Sequence, residues 1–203
     1  MLHTAGGQRL LVDTVRWHAR PTEEEVSLLE RSVGSVLDVG CGPGRHVLAL
    51  VAAGRTALGI DVSPVAVATA IQRGARVMQA SVFGLVPDAG SWGTALLLDG
   101  NIGIGGHPRN LLRRVAGLLR PGGHVLVEVE GPELMGRRLR VRVEHAGKRT
   151  QWFPWATVAV LELGELARAS GFAVTEVWQA NGRWFGDLYL VETSRDQPNR
   201  YWA

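Results

Sequence analysis

The stretch VLDVGCGPGRH, Val36 to His46, decides the fold. A short apolar run ends in three glycines at alternate positions, Gly40, Gly42 and Gly44, and a helical pattern opens directly behind them. Glycine at such a junction lets the chain turn tightly and lets a ligand press against bare backbone. The helix N-terminus beyond offers free N–H groups. The next apolar run, TALGI, leads into Asp61, 21 residues after Gly40. A carboxylate there sits beside the glycine loop, where it accepts hydrogen bonds from ribose hydroxyls. Dinucleotide loops use G-x-G-x-x-G, whereas this loop is G-x-G-x-G and Arg45 takes the later position. Asp38, two residues before the first glycine, would repel a pyrophosphate and suits an ammonium or sulfonium group. Loop and acids together point to a positively charged nucleoside.

Outward from the loop, two periodicities alternate. Strands are expected at 35–39, 56–60, 75–79, 93–98 and 124–130, and helices at 22–32, 44–53, 64–73 and 108–119. Thr22 and Glu25 form a capping box, Ser63 and Pro64 open a helix, and Pro121-Gly122-Gly123 closes the last one. Nearly all-apolar strands separated by helices mean a parallel sheet covered on both faces, a doubly wound αβα sandwich of α/β class. The last third changes rhythm. RLRVRVEH at 138–145 alternates strictly, a turn follows at 146–148, and RTQWFPW at 149–155 completes a β-hairpin inserted after the fifth strand. A helix at 161–170 and two strands at 172–179 and 184–192 follow, the short gap between the strands making them antiparallel, and 194–203 reads as a tail. The whole is one domain, 1–203. Residues 1–32 form an N-terminal helical cap, 33–130 a cofactor-binding half, 136–156 the hairpin insertion and 157–194 a C-terminal half.

With 203 residues, 46% hydrophobic and 20% charged, the chain is of one-domain size and ordinary globular composition. A lone cysteine, Cys41, rules out an internal disulfide framework and a cysteine-rich zinc site, so no metal is expected and a reducing compartment is. No apolar run approaches the ~18 residues of a membrane span, and the N-terminus lacks signal-peptide order, so the expectation is a cytoplasmic protein without a membrane partner. The net charge of +3 is too small to argue for nucleic acid. The densest basic patch, Arg137, Arg138, Arg140 and Arg142, reads first as a solvated strand face.

The ordered set of motifs resembles the Rossmann-like, class I S-adenosylmethionine-dependent methyltransferases, in a small single-domain form of actinobacterial type. VLDVGCGPGRH is similar to their first motif and LGIDVSP to their second. RVMQASVFGLVP is similar to their adenine-contacting segment, and LLRRVAGLLRPGGHVLVEV to the helix, turn and strand that follow strand four. The resemblance covers residues 33–130 closely and 161–192 loosely. It implies a seven-stranded, mostly parallel sheet of order 3-2-1-4-5-7-6 with strand 7 antiparallel. It implies S-adenosyl-L-methionine as cofactor, with Asp38, Gly40, Cys41, Gly42 and Gly44 around its methionine part. Asp61 would hold the ribose, and Val62, Ser81 and Val82 the adenine. Ser81 stands where the family usually has an acid. Asp99, Gly100 and Asn101 would border the reactive methyl.

Methyl transfer needs alignment and dryness more than a covalent nucleophile. LLLDGNIGIGGH lacks the Asn/Asp-Pro-Pro-aromatic motif of enzymes that methylate nucleobase or glutamine nitrogens. Asp99 and Asn101 would orient an acceptor hydroxyl or amine, and His107 would serve as base. Three grafts would select the acceptor: the N-terminal segment with Trp17, the hairpin with Trp152 and Trp155, and the last strand with Trp184. Such an aromatic wall suits a flat or apolar small molecule. The expected activity is therefore methyl transfer to an O or N atom of a small-molecule acceptor. The alternatives are a cofactor-binding protein of the same fold without transferase activity, and an RNA or DNA methyltransferase using the arginine-rich hairpin. The sequence leaves the oligomeric state open.

Overall fold

The computed structural model describes residues 2–6, 9–10, 14–145 and 148–192. Most of the 146–148 turn and the tail read at 194–203 lie outside them. Seven strands form the main sheet: β1 (Val36–Val39), β2 (Ala57–Asp61), β3 (Val77–Gln79), β4 (Trp92–Leu97), β5 (Leu119–Val129), β6 (Phe172–Ala180) and β7 (Arg183–Leu190). Their order is β3-β2-β1-β4-β5-β7-β6. The first five neighbours pair in parallel, and β7 runs antiparallel to both β5 and β6. This is the order the family resemblance implies.

Neighbouring residues of one strand face opposite layers, which divides the core in two. Leu37 and Leu97 pack with Leu111, Leu112 and Val115 of α5 (Pro108–Ala116) and Leu163 and Ala167 of α6 (Leu163–Arg168). Val36 and Leu96 pack on the other side. There they meet Leu28 of α2 (Glu23–Glu30), Val47 and Leu50 of α3 (Arg45–Ala52) and Ala70 of α4 (Pro64–Gln72). The capping residues act as their types dictate. Thr22 and Glu25 form the reciprocal box, and the Ser63 hydroxyl accepts from the Ala66 N–H at 3.3 Å.

Two differences from the sequence reading concern where elements end. The helix expected over 108–119 stops at Ala116, and β5 already begins at Leu119, running through Pro121-Gly122-Gly123. The register beside it shifts between Trp92 and Thr94, a bulge that absorbs the extra residues. The N-terminal segment carries α1 (Thr14–His18) and α2 but opens with strands, Leu2–Thr4 and Arg9–Leu10. These belong to a second, antiparallel sheet ordered Phe153–Thr157, Arg137–His145, Leu2–Thr4, Arg9–Leu10, with Lys148–Arg149 also paired to Arg137–His145. The inserted hairpin thus receives the N-terminus as an added strand, with Leu2 opposite Val143 and Thr4 opposite Val141. Among the described residues no helix is long and apolar enough to cross a membrane.

Candidate functional site

The carboxyl ends of β1, β2 and β4 bring the glycine loop, Asp61 and Asp99 to one edge of the sheet, the usual ligand edge of an open parallel sheet. Gly40 and Gly42 both have positive φ, at 74° and 52°. Their surroundings differ. A Cβ on Gly40 would lie 2.8 Å from the Asn101 amide nitrogen, whereas one on Gly42 would meet nothing within 4 Å. Gly40 is bare because the protein itself fills the space; Gly42 faces open space that a ligand can occupy. The Asn101 Nδ2 donates to the carbonyls of Val39 (2.9 Å) and Gly40 (3.0 Å), which ties the end of β4 to the loop.

Asp61 receives the Gly42 N–H on Oδ2 at 2.9 Å and the Ser63 N–H on Oδ1 at 2.8 Å. Each oxygen keeps a further lone pair for a hydroxyl. Burial raises the Asp61 carboxyl, and these two N–H groups pull the other way. Val62 beside it is 67% exposed, an apolar side chain left in solvent at the ligand edge. Ser81 is exposed and its hydroxyl accepts from the Phe83 N–H at 3.2 Å. Val82 turns its side chain into the core, and its carbonyl accepts from Arg114. Cys41 likewise lies beneath the loop against Gly59, and burial pushes its thiol far above the ordinary range. The side chains of Cys41 and Val82 are therefore turned away from the ligand edge.

Asp38 is buried under the loop, 3.7 Å from His46 Nδ1, and its Oδ2 has no hydrogen-bond partner. His46 sits between Asp38 and Glu25. Burial alone would lower its pKa, but those two carboxylates outweigh it and raise it to about 9.

Behind the loop lies an ionic network that the sequence reading lacks. Arg45 forks onto Glu25 with both terminal nitrogens and reaches Asp99 Oδ1 and Oδ2 at 3.0 and 2.8 Å. Arg183, at the start of β7, donates to Glu25 (2.7 Å), Asp99 (3.3 Å) and both oxygens of Glu128 (2.7 and 2.6 Å). The Glu128 Oε2 also accepts the Asp99 N–H at 2.6 Å, and Arg16 of α1 donates to Glu25 at 2.6 Å. Burial would raise the Glu25 carboxyl, yet hydrogen bonds from His46 and Arg45 hold it well below the usual carboxylate range. Burial and the Asp99 charge push Glu128 up to about 7, against the Asp99 N–H and the Arg16 charge, which pull it down. Signals for these residues did exist: Glu128 is a charge inside an apolar strand, and Arg45 stands where a dinucleotide loop has glycine. Glu25 reads as a helix cap and is also the hub of the network.

The turn that follows Asp99 is pressed between aromatic rings. Trp155 lies across Gly103 and Phe83 across Gly105. Trp155 meets Phe153 edge-on at 6.0 Å. Trp152 lies under the Arg142 guanidinium, 4.7 Å from ring centre to carbon, on the opposite face of the second sheet. Trp17 is half-buried on α1, and Trp184 packs on the core layer of α5 and α6. Of the expected substrate-facing tryptophans, Trp155 is the one placed against the Asn101 turn. His107 is exposed at the start of α5 and lines a separate cavity with Arg137 and Arg138. Another cavity, of about 260 Å³, lies at the amino ends of the strands beside Ser35, Thr56 and Trp92. No cluster able to hold a metal ion exists among the described residues.

The open space over Gly42, the free lone pairs of Asp61 and the exposed Val62 fit a nucleoside ligand. A family model described as a methyltransferase domain matches residues 16–177, and the chain belongs to that family. No curated protein matches the chain by sequence. Among solved structures, it is similar to an S-adenosylmethionine-dependent methyltransferase from Bacteroides fragilis in complex with S-adenosyl-L-homocysteine. That match has TM-score 0.80 and 23% identity, and covers 94% of this chain and 87% of the other. It is also similar to the 1,6-didemethyltoxoflavin-N1-methyltransferase of Burkholderia thailandensis, with TM-score 0.63, 22% identity and coverage of 84% and 78%. The sugar N-methyltransferase KedS8 from Streptoalloteichus matches with TM-score 0.63, 18% identity and coverage of 92% and 96%. At these identities the structural likeness speaks for the fold.

Proposed function

We propose that the protein is an S-adenosylmethionine-dependent methyltransferase acting on an O or N atom of a small molecule in the cytoplasm. The observation that carries this reading is the pairing of the open Gly42 with Asp61, which holds the loop backbone and keeps acceptor capacity for ribose. Asp61 and Val62 would hold the nucleoside. The loop backbone would hold the methionine end, with Asp38 and its ion-paired His46 buried beneath it. The cofactor supplies an electrophilic methyl group once bound. The chain aligns the acceptor with it and keeps water out.

The residues near that point are engaged in a way that bears on the chemistry. Asp99 is ion-paired with Arg45 and Arg183, which suits it to orienting groups at the site rather than to acting as a free base. Asn101 spends its N–H groups on the loop and offers Oδ1 as an acceptor. This arrangement favours an acceptor that brings its own lone pair, such as a neutral amine or ring nitrogen, oriented by an N–H to Asn101. His107, on the wall of another cavity, has no direct part in this reading. The small-molecule acceptor is supported by structural neighbours named as a 1,6-didemethyltoxoflavin-N1-methyltransferase and a sugar N-methyltransferase. Titration calorimetry against S-adenosylmethionine, S-adenosylhomocysteine and NAD tests the reading. Micromolar binding of the two adenosyl ligands without NAD is expected; silence from both, with the protein folded, overturns it.

A further inference from the structure

Beyond β4 the chain turns through Asp99 and Gly100, two consecutive residues with positive φ, at 55° and 78°. The Asn101 N–H closes this turn on the Leu98 carbonyl at 3.0 Å. Glycine takes that conformation freely, whereas an aspartate is held there at a cost that its surroundings must meet. Two kinds of contact hold it. Glu128 of β5 accepts the Asp99 backbone N–H on Oε2 at 2.6 Å. Arg45 and Arg183 grip the Asp99 carboxylate. On the far side of the turn, the Asn101 amide is bonded to the Val39 and Gly40 carbonyls, so the corner at Asp99 and the start of the glycine loop are one connected unit.

Arg183 is aimed at this corner by its own stretch of chain. Asn181 and Gly182, with φ of 49° and 76°, make the two-residue turn between β6 and β7, across which Ala180 pairs with Arg183. Phe185 lies opposite Glu128 in the β5–β7 register, so Arg183, two residues earlier, shares the Glu128 face of the sheet. The fully buried Phe185 ring lies 5.0 Å from the guanidinium carbon. From there the fork donates to both Glu128 oxygens and reaches Asp99. An ion pair that only stabilises needs opposite charges in contact. Here the carboxylate also takes a backbone N–H from a strained residue at the ligand edge. We propose that Glu128 and Arg183 are positioning residues for the bound cofactor, acting through the Asp99–Asn101 corner on the Gly40 end of the glycine loop. The proposal rests on the reading of that loop as the S-adenosylmethionine site.

The test is calorimetric titration of the whole protein with S-adenosylhomocysteine, at a temperature well below every variant's melting transition. Glu128→Gln keeps the shape of the side chain but leaves one acceptor oxygen, which cannot serve both the Asp99 N–H and the Arg183 fork. Arg183→Lys keeps the charge and loses the fork. The dissociation constant should rise about fivefold or more in each, and either one alone carries the test where the other fails to fold. Val115→Ala removes buried atoms from α5 in the opposite core layer; it should melt lower yet bind within about twofold of wild type. In an Asn101→Ala background the tie to the loop is already cut, so the added effect of Glu128→Gln or Arg183→Lys should shrink below about twofold. Wild-type affinity in a folded Glu128→Gln or Arg183→Lys protein, an equal loss in Val115→Ala, or an undiminished loss in the Asn101→Ala background overturns the proposal. A wild type that binds no S-adenosylhomocysteine overturns the reading of the loop itself, and the proposal with it.

Discussion

Arg45 and Asp99 face each other across the end of the glycine loop, one guanidinium nitrogen lying 3.0 and 2.8 Å from the two carboxylate oxygens. The same guanidinium also grips Glu25, whose side chain is fully shielded from solvent. Removing it leaves a buried carboxylate and Asp99 each short of a partner. Breaking such a pair from one side typically destabilises by about 3–5 kcal/mol. Arg45→Met is therefore expected to lower unfolding free energy by about 3 kcal/mol or more, the low end reflecting the remaining help of Arg16 and Arg183. Arg149→Met, which breaks an exposed pair with Glu144, should change it by less than about 1 kcal/mol. Urea unfolding of both variants decides; equal losses would mean that the network adds nothing beyond a surface ion pair.

Gly40 and Gly42 separate a folding requirement from a binding requirement. Gly40→Ala adds left-handed strain and drives a Cβ into Asn101, so it should destabilise by about 2–3 kcal/mol. Gly42→Ala meets no protein atom and should destabilise by only about 1–2 kcal/mol, the strain alone. Its methyl group instead occupies the open space, so S-adenosylhomocysteine affinity should fall more than tenfold. Thermal melts and calorimetry on the pair check this. A Gly42→Ala protein that binds as well as wild type would move the ligand away from the loop.

The contrast between those glycines shows where sequence reading stops. The loop, Asp61 and the parallel strands were legible because each is a local pattern: apolar runs, glycines at a strand end, an acid one strand later. The sheet order came from the family resemblance. The ionic network was not legible, since Arg183 and Glu25 lie 158 residues apart and meet only through the fold. The N-terminal strands escaped for a different reason. Leu2–Thr4 is three residues long, too short to carry a period, and it is a strand only because Arg137–His145 offers it an edge. Cys41 and Val82 were read as ligand contacts from their positions in motifs, and motif position says nothing about which way a side chain turns.

His46 carries a pH dependence. Its folded pKa is raised to about 9 by Asp38 and Glu25, above the unfolded value of about 6.5. The folded state therefore binds the proton more tightly than the unfolded chain. The stability this contributes is complete below about pH 6.5 and is lost as pH rises through about 9. Unfolding free energy measured across that window should fall in the wild type, and the His46→Gln variant should show a flatter profile. A wild-type profile no steeper than that of the variant would mean that His46 is neutral in the folded protein.

Asp61 joins the structural and ligand-binding sides of the loop in one side chain. It holds the Gly42 and Ser63 N–H groups and is the acceptor proposed for ribose. Asp61→Ala should weaken binding of both S-adenosylmethionine and S-adenosylhomocysteine by about 1.5–3 kcal/mol, the scale of hydrogen bonds to a charged group. Asp61→Asn keeps one acceptor oxygen and should fall between the two. Because both variants release backbone N–H groups at the loop, their melting temperatures are measured alongside. A loss of affinity that persists well below the variant's melting transition belongs to the ligand contact. Affinity equal to wild type in Asp61→Ala would take the ribose away from β2 and, with it, the reading of the glycine loop as a nucleoside site.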